Sequence, residues 1–250
     1  MCFIGGIKLH SVNCDILLDQ EKNGLKYGTD AYLLSAFVTQ NRKAVICEGG
    51  CGSGIISLLL LKSDKIAHSY CVDVQESSCD IAKNNAKVNN VEDKMDVICS
   101  DVLSYNAPFS LDAFVCNPPY MKENSGAVNK HSEKYIARHE TTADIYGFAK
   151  CAYRVLKDGG LAYFVYRPDR CADIIHAFKE NRLEPKVMTL VYATTKHEPC
   201  LMLIKAKKNS QSGMALTRPL IIYKDTPGGE YTDDMKYIYE NQSFPDGFFR

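Results

Sequence analysis

The sequence predicts an α/β fold: a doubly wound, mostly parallel sheet of seven strands with one antiparallel strand. Three observations carry this expectation. From Ala44 onward, short apolar runs of strand length alternate with longer amphipathic stretches. A glycine-rich turn, "EGGCGSG" at 48–54, joins the first of these strands to the first helix. Near the end, Lys186–Tyr192 and Leu201–Lys205 follow one another with no helical stretch between them, which reads as a hairpin at one edge.

Taken in order, Ala44–Glu48 is a short apolar strand and Ile55–Lys62 a helix after the glycine turn. Tyr70–Val74 is the second strand. Glu76–Asn90 is a helix, opened by Glu and Ser and closed by Asn-Asn. Met95–Cys99 and Leu111–Cys116 are the third and fourth strands. Thr142–Leu156 is a helix closed by Lys157, Asp158, Gly159 and Gly160. Leu161–Tyr166 is the fifth strand and Asp169–Asn181 a further helix, before the hairpin. The expected organisation is an N-terminal extension (1–43) packing on a central domain (44–208), then a C-terminal tail (209–250).

Composition narrows the function classes. Of 250 residues, 46% are hydrophobic, enough for a core. Thirty Lys plus Arg balance thirty Asp plus Glu, so any polyanion site must be a local patch. The eleven cysteines form no CxxC pair and sit mostly in apolar strands; they read as buried hydrophobes in a reducing cytosol, not as disulfides or a metal site. The longest apolar run, Ile55–Leu61, is too short to span a bilayer, and the N-terminus lacks a secretory pattern. The expectation is a cytoplasmic protein with no metal and no membrane partner.

Gly50, Gly52 and Gly54 let the chain turn tightly against a ligand, and the next helix offers unpaired amides. The spacing is G-x-G-x-G, unlike the G-x-G-x-x-G of dinucleotide folds. Glu48, just before it, repels a pyrophosphate but suits an ammonium group. The next strand ends "CVDVQ", where Asp73 either takes both hydroxyls of a ribose or caps the following helix. The third ends "ICSDV", where Asp101 either meets a purine amino group or caps a turn. Three acids at successive strand tips, with the glycines, describe a pocket for S-adenosylmethionine.

The fourth strand ends "FVCNPPYM" (114–121). Proline fixes φ, donates no hydrogen bond and holds its predecessor extended, so Asn117 is pinned with one aim. Asn117-Pro118-Pro119-Tyr120 resembles the (D/N/S)PP(Y/F) motif of the amino-methyltransferase branch of the class I S-adenosylmethionine-dependent enzymes. The resemblance implies that this corner grips a planar nitrogen, with Asn117 also bordering the cofactor. The Asn117 side-chain oxygen and the Pro118 carbonyl each accept one N–H, which frees the delocalised lone pair and stabilises the developing positive charge. Tyr120 offers a face for the target ring.

The motif's acceptors are adenine in DNA, adenine in RNA and glutamine in release factors. A DNA enzyme needs a sizeable recognition domain and the glutamine enzymes a longer N-terminal one; the chain has room for neither. Nearly its full length resembles the bacterial tRNA adenine-N6 methyltransferase family, whose known member modifies the adenosine next to the valine anticodon. The residues carrying this are "KYGTDAYLLSAF" (26–37), the NPPY, "YIARHE" (135–140), "LKDGG", "YRPDR", "EPKVMTLVY" and the closing "RPLIIYKD…EYT…YIYE". It implies transfer to N6 of an adenine in RNA, with tRNA as partner; protein glutamine, DNA adenine, or a non-catalytic binder of RNA or a metabolite are the alternatives. The sequence does not give the oligomeric state, and a monomer is the favoured form.

Where the chain departs from the family, Glu48 stands for the commoner Asp, Gly49 for an apolar residue that would keep the turn tight, and "TTKHEPC" (194–200) for a basic stretch ending in Asn. Thr29 and Asp30 either cap a helix through Phe37 or, as the resemblance implies, lie in a segment that lids the cofactor. His139 is read as structural. Met121–Glu140 is either a flap over a flipped base or a solvated loop. Lys205–Lys224, with no acid, is either a phosphate contact or a solvated face.

Overall fold

The computed structural model describes residues 2–4, 7–12, 16–19, 28–118 and 145–249. The N-terminal strands β1 (Cys2–Ile4), β2 (Ile7–Val12) and β3 (Ile16–Asp19) form an antiparallel sheet of their own. It is stitched to the main body through Leu17, whose amide and carbonyl both bond the Asn89 side chain, at 3.0 and 2.7 Å. Helix α1 (Thr29–Phe37) follows.

Then the alternation begins: β4 (Val45–Gly49), α2 (Ile55–Lys62), β5 (His68–Asp73), α3 (Glu76–Val88), β6 (Met95–Cys99) and β7 (Leu111–Cys116). Helix α4 (Ile145–Val155), β8 (Leu156–Tyr166), α5 (Cys171–Glu180), β9 (Leu183–Tyr192) and β10 (Pro199–Lys208) complete the expected pattern. The main sheet runs β9-β10-β8-β7-β4-β5-β6, with β10 antiparallel to both neighbours. Two short strands, β11 (Ala215–Leu216) and β12 (Leu220–Ile221), extend the β9 edge in parallel, making nine strands. Helix α6 (Asp233–Asn241) follows them.

Strand periodicity sends alternate residues to opposite faces. Ile46, Ala113, Val115, Tyr163 and Val165 join α1, α2, α3 and α6 in one core; Cys47, Phe114, Cys116, Ala162 and Phe164 join α4 and α5 in the other. Helix α2 is apolar apart from Ser57 and its last residue, Lys62, because it lies buried between the sheet and α1.

One expectation needs correction. Lys157–Gly160 do not close a helix as a turn. They belong to β8, where the pairing jumps from Leu111–Leu156 to Ala113–Leu161, a bulge for which Gly159 supplies φ of +74°. Residues 209–249, within the expected C-terminal tail, pack against α1. Phe37 meets Phe244 and Phe249 edge-on, the Tyr32 hydroxyl bonds the Tyr239 carbonyl at 3.1 Å, and Gln242 bonds Ser35. This C-terminal segment clamps α1 onto the sheet. No helix among the described residues is long and apolar enough to cross a membrane.

Candidate active site

Register places the predicted residues on one edge. Gly49 pairs with Val72 of β5 and with Cys116 of β7, so Gly50, Asp73 and Asn117 stand level at the carboxyl ends of three adjacent parallel strands. With about 4.8 Å between neighbours, Asp73 and Asn117 flank the glycine turn at about 10 Å from each other. Ligands of open α/β sheets bind along such an edge.

The turn itself explains each glycine differently. Gly50, Gly52 and Gly54 have φ of +69°, +52° and +74°, the left-handed region where a side chain is strained. A Cβ on Gly54 would lie 2.3 Å from the Met95 side chain, so this glycine allows close packing behind the turn. A Cβ on Gly52 would meet nothing within 4 Å among the described residues, which leave that side of the turn open. The amides of Gly50 and Cys51 both bond the Val72 carbonyl, at 2.8 and 3.1 Å, which ties the turn to β5. Gly49 does not loosen it: the space a side chain would fill is taken by the Phe114 ring.

The three acids differ in setting. Glu48 is buried, and its carboxylate accepts the amide of Ser57 at 2.9 Å and the Ser57 hydroxyl as well. Burial pushes its pKa up to about 7; the Ser57 bonds oppose the rise and the nearby Asp73 charge adds to it. This acid faces inward, onto the first turn of α2. Asp73 is half-buried: one oxygen accepts the Gly52 amide at 2.8 Å, the other the Gln75 amide at 2.9 Å. Asp101 is exposed and accepts the Leu103 amide at 2.9 Å, the turn cap weighed for it above.

Sequence reasoning missed Ser57. It links Glu48 to Ser69, at 2.6 Å between hydroxyls, and to the Cys71 thiol at 3.1 Å. The signal was available: Ser57 is the one polar residue in the apolar run Ile55–Leu61.

At the β7 tip, the Asn117 side-chain amide donates to Asp30 across 3.0 Å. Asp30 lies in the first turn of α1, beside Thr29, and its other oxygen accepts the Ala31 amide at 2.8 Å; the N-cap position is Gly28, not Thr29. Pro118 is buried next to Asn117. Tyr120, His139 and the stretch Met121–Glu140 lie outside the described residues.

Sequence comparison then decides the family. Residues 22–169 match the methyltransferase small domain family. The chain belongs to it. Among curated relatives, the tRNA1(Val) (adenine(37)-N6)-methyltransferase of Aliivibrio salmonicida is 26% identical over 182 residues, covering 73% of this chain and 77% of that protein. The enzyme of the same name from Vibrio parahaemolyticus is 30% identical over 144 residues, 58% of this chain and 59% of that one. Among solved structures, a predicted O-methyltransferase from Agrobacterium tumefaciens superposes with a TM-score of 0.69 at 18% identity, over 87% of this chain and 98% of its own. A Listeria monocytogenes protein described as a putative class I S-adenosylmethionine-dependent methyltransferase gives 0.55 at 16% identity, over 84% and 68%.

The fold of this methyltransferase is therefore the class I fold the sequence resembled, and its cofactor is S-adenosylmethionine, which supplies an activated methyl group. The open side of the glycine turn, next to the half-buried Asp73, is a cradle that fits such a ligand. The basic stretch Lys205–Lys224 is largely used within the fold. Arg218 pairs with Asp234 and stacks on Phe248, Lys224 pairs with Glu230, and Lys208 bonds the Leu156 carbonyl at 2.7 Å. The departing "TTKHEPC" closes the β9–β10 hairpin, held by Thr194 and His197 at 2.7 Å.

Proposed function

We propose that this methyltransferase acts on the exocyclic N6 of an adenine in RNA, with tRNA near the anticodon as acceptor. The observation that carries the reading is Asn117, followed by Pro118, at the tip of β7 and level with the glycine turn and Asp73. The names of the curated relatives support the acceptor.

In this reading Gly50, Gly52 and Gly54 admit the cofactor to close backbone approach, Asp73 takes its ribose hydroxyls, and Asp101 borders its base. Glu48 acts from behind, through Ser57, to hold the turn in shape. Thr29 and Asp30 close the side of the pocket next to Asn117. The Asn117 side-chain oxygen and the Pro118 carbonyl accept the two N–H groups of the adenine amine. That draws the nitrogen toward tetrahedral geometry and meets the positive charge that develops on it. Tyr120 stacks on the adenine. Alignment supplies much of the rate, and the proton leaves to water after transfer.

The test offers purified protein, methyl-labelled S-adenosylmethionine and, in parallel, unmodified tRNA, DNA and a release factor, followed by nucleoside and amino-acid analysis. Label in N6-methyladenosine from tRNA, lost in Asn117→Ala with cofactor binding kept, is the expected result. Label in DNA or glutamine would overturn the acceptor and leave the corner's chemistry standing. No label, with cofactor bound, would favour a binder.

A further inference from the structure

We propose that Asp30 is a positioning residue that sets which way the Asn117 amide faces, and that Gly28 is glycine to leave room for it. The inference rests on the reading of Asn117 as the acceptor of the adenine amine. Asparagine presents an oxygen acceptor at one end and an NH2 donor at the other, nearly equal in shape. Only one orientation serves: with the NH2 toward the target, donor would meet donor.

An ionised carboxylate has acceptors alone. Asp30 Oδ2, at 3.0 Å from Asn117 Nδ2, therefore selects the orientation in which the NH2 faces α1 and the oxygen is directed away from it. Asp30 is itself held: its Oδ1 takes the Ala31 amide at 2.8 Å, and a Cβ on Gly28 would stand 2.5 Å from that same oxygen. Behind it α1 is rigid. Ala31 to Phe37 are all buried, and Tyr32, Ser35 and Phe37 are fastened by the C-terminal segment. Gly28, Asp30 and Asn117, 87 residues apart at the last step, thus form one device, and the motif G-T-D gains a reason.

The test combines a rate with a signal that needs no acceptor. In Asp30→Ala, single-turnover transfer to tRNA at saturating cofactor should fall on the order of 10- to 100-fold, a larger loss than any loss of cofactor affinity. The side-chain NH2 resonance of Asn117, identified by its loss in Asn117→Ala, should shift in Asp30→Ala. The exchanged pair Asp30→Asn with Asn117→Asp restores one donor and one acceptor across the gap, and should transfer faster than Asp30→Asn alone. An unchanged rate in Asp30→Ala would overturn the proposal. So would an unmoved resonance, or a loss of cofactor affinity as large as the loss of rate, which would make Asp30 a cofactor holder only. If the wild-type protein methylates no adenine, the function proposed above fails, and the resonance still decides the pairing.

Discussion

The tips of β4 and β5 lie side by side, each carries an acid, Glu48 next to the last residue of β4 and Asp73 the last of β5, and the two acids have opposite surroundings. Glu48 is sealed inside, its carboxylate taken up by the amide and hydroxyl of Ser57. Asp73 is half-buried, tied to the turn by Gly52 and to the next helix by Gln75, beside the open face of the turn. The same chemistry on two adjacent strands, two residues apart in register, thus does two jobs. An acid facing inward fastens a helix to a strand and carries a desolvation cost; one at the rim has lone pairs to spare for a ligand. What separates them is their place on the strand and the neighbour found there: Glu48 lies two residues below the rim, against a serine in the first turn of α2.

The largest expected difference between the two tips is in pH dependence. Folded, Glu48 keeps its proton up to about 7; in the unfolded chain it releases it near 4.5. Between these values the folded state binds a proton that the unfolded state has lost, so stability falls as pH rises. The contribution is fully present below about 4.5 and gone above about 7. At full shift it is on the order of 3 kcal/mol. Glu48→Gln removes the titration and keeps an oxygen for Ser57. Thermal unfolding from pH 4 to 8 should show the wild type losing stability relative to this variant as the pH rises through that window. Parallel curves would mean that Glu48 is not buried as described.

Asp73 should respond in binding. Asp73→Ala leaves two amides that water can reach, so stability should drop by only about 1 kcal/mol. S-adenosylmethionine affinity, measured by calorimetry, should fall at least about tenfold, or about 1.4 kcal/mol. Wild-type affinity in Asp73→Ala together with lost affinity in Glu48→Gln would reverse the assignment of the two acids.

How much of this was legible follows the range of each interaction. Elements set by local pattern, such as Ile55–Lys62, Met95–Cys99 and Leu111–Cys116, came out at their observed bounds, because apolar periodicity and bounding glycines are local facts. The placing of Gly50, Asp73 and Asn117 on one edge followed from βαβ topology, which sends every parallel strand the same way. Three things were not legible. That Glu48 faces Ser57 depends on the rotation of α2 over β4. That the C-terminal segment fastens α1 depends on contacts some 200 residues apart, such as Tyr32 with Tyr239. That Lys157–Gly160 continue a strand depends on a bulge which helix-stop residues do not announce.

The smallest expected effect is a coupling of about 1 kcal/mol at the last residue of β4, where Gly49 stands against Phe114. Gly49 has no left-handed backbone to protect. An alanine there is opposed by packing alone: its Cβ would lie 2.5 Å from the Phe114 Cζ and 3.2 Å from a Val102 methyl. Phe114 is fully buried and packs 5.8 Å from Phe164, centroid to centroid, so it cannot swing away freely. Gly49→Ala should therefore over-pack the site and cost about 1–3 kcal/mol. Phe114→Leu alone should cost a similar amount by leaving space unfilled. Together they should cost less than the sum, by about 1 kcal/mol, because the methyl enters the space the ring vacates. The double-mutant cycle is read from denaturant unfolding. Strict additivity would show that the ring does not fill the place of the missing side chain, and that the tight turn at β4 is held by the Val72 carbonyl and Asp73 instead.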